Sequence, residues 1–404
     1  MNQKERPEKT MTDLLVKGGE VIDPAQNIRE KLDVAVKEGI ISQVAADIDP
    51  SGFAQVINVA GKIVIPGMID LHTHVYEGVN QTGVSPDVAG VLSGVTTVVD
   101  AGSAGCYSFG GFPKFVVPNN KTRIVCMLHI SRVGLNYQPD LSRREDIDIE
   151  ETVNVIKANK PLIQGVKIRA VGPGVPRMGV EMIRLAKQAA TEGGVRLMVH
   201  IGDRSIVGTD GPTLTQELLP LLENGDIITH LFSGNPGRII GSDGKVIPEI
   251  LEAQERGVFL DTAHGRQNFS FDVARQALEG GVRPRSISTD LTIPGRQNTV
   301  HSMTEMLSRF LALGFSLEEV VRMSTINPAS ALDMDDRLGT LQVGRVADIS
   351  VLSEETGNWV FHDTQGDTLT GDKALVPVVT VKDGEVFSPD WGPRPWGWLP
   401  DSAA

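Results

Sequence analysis

The sequence predicts an α/β fold: a (β/α)8 barrel of the TIM type that carries a small β-sandwich domain formed by both chain ends. Three observations lead to this prediction. Short β-rich runs alternate with helical stretches through the middle of the chain, they recur at regular intervals, and both ends show the alternating pattern of antiparallel strands. A chain of 404 residues is long enough for one such barrel with an attachment.

The β-rich runs follow one another at intervals of about 30 residues, which is the room that a strand, a crossover helix and two loops require. Between them, residues 180–192 and 271–279 carry apolar side chains at three- and four-residue steps, as amphipathic helices do. Residues 315–332 indicate a closing pair of helices, in which Ser316 and Glu319 have the spacing of a capping box. The eight runs are residues 68–72, 95–100, 123–130, 162–168, 195–201, 226–231, 258–262 and 286–290.

The two flanks differ in kind from the barrel. Residues 14–44, 339–352 and 376–387 alternate apolar and polar side chains and break at Gly and Asp, which indicates antiparallel strands that pair around the inserted barrel. A tail rich in proline and tryptophan follows; it packs on the surface or contacts a neighbouring subunit, and we expect a homo-oligomer. The expected division is 1–62 for the N-terminal part of the sandwich, 63–335 for the barrel, 336–388 for the C-terminal part of the sandwich and 389–404 for the tail.

The charge balance argues against nucleic acid or an anionic membrane as the partner. Proteins that bind either partner usually carry clusters of Lys and Arg, whereas this chain has a formal net charge of -13. The N-terminus lacks the apolar core of a signal peptide, and no segment offers about 18 uninterrupted apolar residues. We therefore expect a cytoplasmic protein that acts on a small molecule. Cys106 and Cys126 are expected to be free thiols.

Side chains of the type that binds metals stand at the ends of five of the eight runs. In VIPGMIDLHTH, His72 and His74 project from the same side of one strand, so both can bind one ion. Taken singly, each such residue has a structural alternative, such as a hydrogen-bonded core histidine or a helix N-cap aspartate. The strand ends of a barrel meet at one rim, so their joint occurrence favours a metal site. The other members are Lys167 in QGVKIRA, His200 in MVHIG, His230 in ITHLF and Asp290 in STD.

Lys167 is the unusual member, because an ammonium group has no lone pair for a metal and its reference pKa of about 10.4 keeps it charged near neutral pH. If carbon dioxide adds to the neutral amine, the carbamate that forms is an anion with two oxygens, which can bridge two cations. The structural alternative is a stem packed in the barrel with its head group reaching a carboxylate.

These residues, with THLFSGNPGR, DTAHGR, STDLTIPGR and the returning segment GTLQVGRVADISVL, resemble the amidohydrolase superfamily of the binuclear subtype over nearly the whole chain. Within it, the chain is most similar to the deacetylase group often labelled dihydroorotase-like. The resemblance implies two divalent metal ions, with zinc the expected metal. It implies that His72, His74 and Asp290 bind one ion, that His200 and His230 bind the other, and that carboxylated Lys167 bridges them.

Such a centre implies hydrolysis of a small amide or ester. A hydroxide shared by the two metals would attack a carbonyl, with Asp290 as the general base that passes its proton to the leaving group. For substrate contacts the sequence offers His264 after the seventh run, Arg169 on the face of Lys167, and the backbone of AGSAG after the second run. For each candidate, a surface or capping role is the alternative. The full set is His264, Arg169, Gly102, Ser103, Asn235, Arg238 and Arg296.

The substrate is expected to be an N-acetyl amino acid or an O-acetyl hydroxy acid. In true dihydroorotases an Arg follows the His-x-His pair and holds the substrate carboxylate, whereas here Val75, Tyr76 and Glu77 follow His74. The alternatives are a cyclic-amide hydrolase of dihydroorotase or dihydropyrimidinase type, a heterocycle deaminase, and a scaffold that keeps the barrel without catalysis. The scaffold predicts missing ligands, and all six ligand-type residues are present.

Overall fold

The structure is a computed structural model that describes residues 13–204 and 213–389. The predicted tail from residue 390 on, and the first twelve residues, lie outside the described part of the chain. The strands are β1 Leu14–Asp23, β2 Ile28–Lys37, β3 Ile40–Ala45, β4 Gln55–Asn58, β5 Ile63–Pro66, β6 Met68–Thr73, β7 Val95–Gly105, β8 Arg123–His129, β9 Ile163–Arg169, β10 Arg196–His200, β11 Ile227–Thr229, β12 Phe259–Leu260, β13 Ile349–His362, β14 Thr368–Lys382 and β15 Glu385–Phe387. The α-helices are α1 Pro86–Ala89, α2 Ile149–Ala158, α3 Val175–Met178, α4 Glu181–Gly193, α5 Thr213–Leu218, α6 Pro248–Glu255, α7 Phe271–Glu279, α8 Ile293–Asn298, α9 Met303–Ala312, α10 Leu317–Ser324 and α11 Ile326–Ala331.

The central sheet is parallel and follows the chain order from β6 to β12. The run at 286–290, expected as the eighth strand, is an extended segment without a continuous ladder. Single parallel bridges join Asp261 to Ser286 on one side and Thr73 to Leu291 on the other, so the segment lies between β12 and β6. Side-chain hydrogen bonds replace much of the backbone hydrogen bonding between strands here. The Ser286 hydroxyl donates to Asp261 over 2.6 Å, and the Thr289 hydroxyl donates to Asp70 over 2.6 Å.

Both chain ends contribute to one mixed sheet of eight strands in the described chain, in the order β15-β14-β13-β5-β1-β2-β3 with β4 beside β1. The N-terminal part meets the C-terminal part where β5 pairs antiparallel with β13. The strands inside the flank ranges pair antiparallel, as predicted, from β1 to β3 and from β13 to β15. Outside those ranges, β4 and β5 run parallel to β1. The reason is that the chain returns through β2 and β3 before it pairs with β1 again. A β-sandwich requires a second sheet packed face to face on this one, and that second sheet stays a prediction.

The long hairpin of β13 and β14 reaches from this sheet to a loop of the barrel. At its tip, the Thr364 N–H donates to the Phe269 carbonyl over 3.0 Å. The Asp363 carboxylate accepts from the Phe271 N–H over 2.9 Å, at the start of α7. The sheet built by the chain ends therefore supports the segment between β12 and α7, which forms part of the pocket described below.

The barrel core explains why the pocket opens at one end only. Apolar side chains of six central strands, among them Ile69, Val125 and Phe259, pack with Ala329 and Leu332 from the region of α11. This cluster fills the end of the barrel opposite the strand ends. The helices predicted at 180–192, 271–279 and 315–332 correspond to α4, α7 and the pair α10 and α11. The Ser316 and Glu319 capping box is also present.

Cys106 and Cys126 are buried free thiols, as expected. Every helix in the described part of the chain is too short or too polar to cross a lipid bilayer.

Candidate metal centre

The six ligand-type residues predicted from the strand ends meet at one pocket of about 480 Å³. Five of them line it directly, and the sixth, His230, lies immediately behind them, its ring 4.0 Å from that of His200 and 4.9 Å from that of His72 between centroids. The parallel strands carry these side chains to the same rim, since each stands at or just after the carboxyl end of its strand. The five lining members are His72, His74, Lys167, His200 and Asp290.

Three of the imidazoles are oriented by hydrogen bonds to their Nδ1 atoms. The Thr229 hydroxyl donates to Asp261 over 2.7 Å, so it accepts from Nδ1 of His72, 2.8 Å away. His230 donates from Nδ1 to the Ala263 carbonyl over 2.8 Å. These bonds leave each Nε2 with a free lone pair that points into the cluster, which is the arrangement of metal-binding histidines. The Nδ1 of His74 lies 3.0 Å from the Ser103 hydroxyl, a contact that positions this ring.

Asp290 stands at the centre of the cluster. Its Oδ1 lies 3.1 Å from Nε2 of His74 and 3.5 Å from Nε2 of His72, and its Oδ2 lies 4.0 Å from Nε2 of His230. Lys167 also belongs to the cluster, with Nζ 3.2 Å from Nε2 of His72. The Asp290 carboxylate therefore faces three imidazoles in a buried space, and the Lys167 amine contacts one of these rings.

The arrangement fits divalent metal ions. Donor atoms of His72, His230 and Asp290 all lie within 4.8 Å of one another. The Nε2 of His230 is buried and has no hydrogen-bond partner among the described residues, although such atoms are nearly always paired. Imidazole nitrogens with a carboxylate oxygen form the donor set of open sites for divalent transition metals, which explains this unpaired atom.

Two members of the cluster have strained backbones. His230 has φ 69° and Asp290 has φ 52°, a left-handed conformation that is uncommon for residues with a side chain. Such a conformation persists only where its surroundings fix it. Here the Nδ1 bond fixes His230, and the Asp290 N–H donates to the His72 carbonyl over 2.7 Å. This backbone conformation directs both side chains toward the same point.

Burial sets the charge of the cluster. It lowers the pKa of Lys167 to about 7 and that of His230 to about 4, and it holds the pKa of His72 and His200 well below the usual value. Burial alone would raise the pKa of Asp290, but the hydrogen bond with His74 and the nearby basic groups lower it. The imidazoles of His72, His200 and His230 are therefore neutral and the Asp290 carboxylate is ionised at pH 7, which are the states that bind metal.

The structure places two residues predicted to contact substrate beneath the ligands. AGSAG, expected as a loop, forms the end of β7, where its backbone pairs with β8. Gly102 has φ +92°, and a Cβ there would lie 2.7 Å from Cγ of Lys167, so the absence of a side chain makes room for the lysine stem. Ser103 is buried and contacts His74, which makes it a support for that ring.

The other predicted contacts are divided between the pocket and its surroundings. Arg169 lines the pocket, and its Nη1 lies 2.9 Å from Oδ1 of Asp140. His264 is buried, donates from Nδ1 to the Gly265 carbonyl over 2.7 Å, and contacts the Arg309 guanidinium with Nε2. Of the five contacts predicted apart from Gly102 and Ser103, the described lining of the pocket contains Arg169 and leaves out His264, Asn235, Arg238 and Arg296.

Sequence reasoning missed the residues that support the ligands. Thr229 and Asp261 hold His72, and Asp70 accepts from the Thr289 N–H over 3.0 Å where the barrel closes. Burial raises the pKa of Asp70 to about 7, against the effect of its bonds with Thr289. Their positions in the sequence could have indicated them, since Thr229 and Asp70 lie inside runs that carry a ligand and Asp261 lies inside the run between two such runs. The pocket walls come from loops, which lie outside the β-rich runs: Asn80, Gln81, Thr82, Leu135, Asn136, Tyr137, Gln138, Arg266, Gln267, Asn268 and Thr292.

Comparisons with known proteins agree with this geometry. The model of the amidohydrolase family matches residues 245–387. A deacetylase of Agrobacterium fabrum is 34% identical over 356 residues, which covers 87% of this chain and 85% of the relative. A solved structure described as an adenine deaminase is similar with a TM-score of 0.85 at 29% identity, and it covers 93% of this chain and 100% of that chain. A solved dihydroorotase structure gives a TM-score of 0.83 at 29% identity, with 93% of this chain and 99% of that chain covered.

The identity to the Agrobacterium relative extends over most of both chains. The structural similarity covers the barrel together with the sheet from the chain ends. The chain therefore belongs to the amidohydrolase family, in the group that contains deacetylase and dihydroorotase relatives.

Proposed function

We propose that this protein is a metal-dependent hydrolase that removes an acetyl group from small acylated acids, either N-acetyl amino acids or O-acetyl hydroxy acids. The observation that carries the proposal is the convergence of four imidazoles, one buried lysine and one carboxylate at a single pocket. The relative named a deacetylase supports this substrate class. We also propose that the enzyme acts in the cytoplasm as a homo-oligomer and divides into the domains expected from the sequence.

We propose further that two ions, zinc in the first place, occupy the cluster and that Lys167 bridges them as a carbamate. His72, His74 and Asp290 would hold one ion, and His200 and His230 the other. Burial lowers the pKa of Lys167 to about 7, so much of the amine is neutral near pH 7 and able to react with carbon dioxide. The 3.2 Å between Nζ of Lys167 and Nε2 of His72 supports a position beside the ions. Bound divalent ions would supply water of lowered pKa and polarisation of the carbonyl.

Asp290 moves the proton in this proposal. Its carboxylate is ionised at neutral pH and faces the pocket, so Oδ1 or Oδ2 can accept a proton as the carbonyl is attacked and return it to the leaving nitrogen or oxygen. Thr229 and Ser103 hold the His72 and His74 rings in place, which keeps the site organised while the charge changes.

A cyclic-amide hydrolase is the second candidate, and the structural similarity to a dihydroorotase favours it. Against it stands the segment after His74. Val75 and Tyr76 are buried, and the Tyr76 hydroxyl donates to the Ser108 carbonyl over 2.6 Å, so these side chains serve the core and supply no cation to the pocket. We therefore rank deacetylation above ring opening.

A substrate panel tests the proposal. Metal-reconstituted protein would be assayed for acetate release from N-acetyl amino acids and O-acetyl hydroxy acids, and for turnover of dihydroorotate and adenine. We expect acetate release, and we expect Asp290→Asn to lower kcat by about 10²- to 10⁴-fold. Asp243→Asn, which makes the same change at an exposed carboxylate outside the pocket, should keep full activity. Turnover of dihydroorotate or adenine without acetate release would contradict the proposal.

A further inference from the structure

Three cationic side chains occur among the described residues that line the pocket: Lys167, Arg169 and Arg266. Lys167 is buried within the candidate ligand cluster. Arg169 lies 2.9 Å from Oδ1 of Asp140, whose Oδ2 is 3.1 Å from Nε2 of His129. Burial would raise the pKa of Asp140, but Arg169 and His129 lower it, so this carboxylate is ionised and compensates the arginine charge. Neither cation is available to neutralise an anionic substrate.

Arg266 differs from both. Its side chain is exposed at the pocket wall, and no carboxylate in the described parts of the chain lies within ion-pair distance of its guanidinium. A guanidinium presents its donors in a planar fork that matches the two oxygens of a carboxylate. The protein as a whole has a net charge of -13 and would repel an anion, which makes an uncompensated cation at the pocket a specific feature.

The backbone that carries Arg266 is fixed next to the reaction centre. The Gly265 N–H donates to the Thr289 carbonyl over 2.9 Å, which joins this turn to the segment of Asp290. The Gly265 carbonyl accepts from Nδ1 of His264, and the His264 ring stacks on Phe269 with 4.6 Å between centroids. A guanidinium on so rigid a turn loses little backbone freedom when it binds a ligand.

We propose that Arg266 binds the free carboxylate of the acylated acid and thereby selects anionic substrates, while Arg169 stays bound to Asp140. This assignment rests on the proposed deacetylase function for its substrate, and it places the carboxylate contact at Arg266 and not at Arg169, one of the candidates that the sequence offered for substrate contacts. The acid group would bind on the wall formed after β12, and the acyl carbonyl would face Asp290.

Matched substrates test the assignment. Acetate release would be measured from an N-acetyl amino acid and from its primary amide, which has the same shape without the charge. We expect Arg266→Gln to lower kcat/KM for the acid by about 10- to 100-fold, mainly by raising KM. The same variant should change kcat/KM for the amide by less than about twofold. Arg266→Lys should recover part of the loss. Arg184→Gln, at an exposed arginine on α4 outside the pocket, should leave both substrates unchanged.

Equal losses for acid and amide, or no loss for the acid, would overturn the assignment. If the unmodified holoenzyme releases acetate from neither compound and from no other member of the substrate panel, the proposed function fails, and calorimetry still decides the role of Arg266. The unmodified holoenzyme should then bind the N-acetyl amino acid more tightly than its amide, and Arg266→Gln should abolish that preference. An unchanged preference in Arg266→Gln would refute the carboxylate contact.

Discussion

At the scale of single residues, Lys167 combines burial with a reactive amine. An isolated ammonium is costly in this environment, and no carboxylate among the described residues lies within ion-pair distance of Nζ. Its surroundings are the His72 ring and the Met198 sulfur, 3.5 Å from Nζ. Burial therefore favours the neutral amine and lowers its pKa to about 7.

The lowered pKa predicts how carboxylation of Lys167 depends on pH. Only the neutral amine reacts, so at fixed dissolved carbon dioxide the rate for metal-free protein should rise about tenfold per pH unit up to pH 7 and then level off. The rate would be followed by ¹³C NMR with labelled carbon dioxide, with Lys167→Met as the control that forms no carbamate at this site. A rate that keeps rising tenfold per pH unit up to pH 10 would mean that the pKa of Lys167 is not lowered.

Thr229 is a second residue whose role the geometry defines. It links His72 to Asp261, so Thr229→Val should leave the ring without its Nδ1 partner and weaken metal binding by about 10- to 100-fold. Competition with a chelator measures the affinity. Thr229→Ser keeps the hydroxyl and should bind metal almost as the unmodified protein does. Equal affinity for the valine and serine variants would show that the hydroxyl does not support His72.

At the scale of elements, the turn after β12 controls the position of Asp290. Gly265 has φ +56°, and a Cβ there would lie 2.1 Å from Oδ2 of Asp290. Gly265→Ala should therefore displace the carboxylate and lower kcat by at least about 100-fold. Gly281 is the matched control, since it has φ +90° with nothing within 4 Å of an added Cβ.

Gly281→Ala should cost about 1 kcal/mol in the free energy of unfolding through backbone strain and leave kcat unchanged. Steady-state kinetics and urea unfolding of the two variants provide the comparison. If both variants keep full activity, the turn does not hold Asp290 as described.

The same turn shows why the sequence predicts some elements and not others. The ends of the parallel strands were predictable, because apolar runs with regular spacing define a barrel and a barrel brings those ends to one rim. The conformation at 264–266 depends on Arg309, which lies 45 residues away in sequence and contacts the His264 ring. Loop positions set by such distant contacts have no local pattern, so the pocket role of Arg266 could not be read from its neighbours.

The eighth strand illustrates a further limit at this scale. SISTD has the composition of a strand, but Ser286, Ser288 and Thr289 bond to the buried carboxylates of Asp261 and Asp70. These side-chain bonds depend on residues from β6 and the segment after β12, which sequence periodicity does not pair.

At the scale of the whole molecule, the candidate centre joins parts of the barrel that are far apart in sequence. Ions bound there would connect β6, β9, β10, the residue after β11 and the closing segment. Metal removal should therefore destabilise the fold, by about 4 kcal/mol relative to protein at a free metal concentration a thousand times the Kd. Thermal unfolding with and without chelator measures this, and an unchanged Tm would argue against a metal that bridges the barrel.

The most direct test of the centre is a crystal structure of the metal-loaded protein with anomalous scattering collected at the zinc edge. We predict two anomalous peaks about 3.5 to 4 Å apart, with density for a carboxylated Lys167 between them. His72, His74 and Asp290 should surround one peak, and His200 and His230 the other. Peaks absent from this pocket in crystals of active, metal-loaded protein would contradict the account.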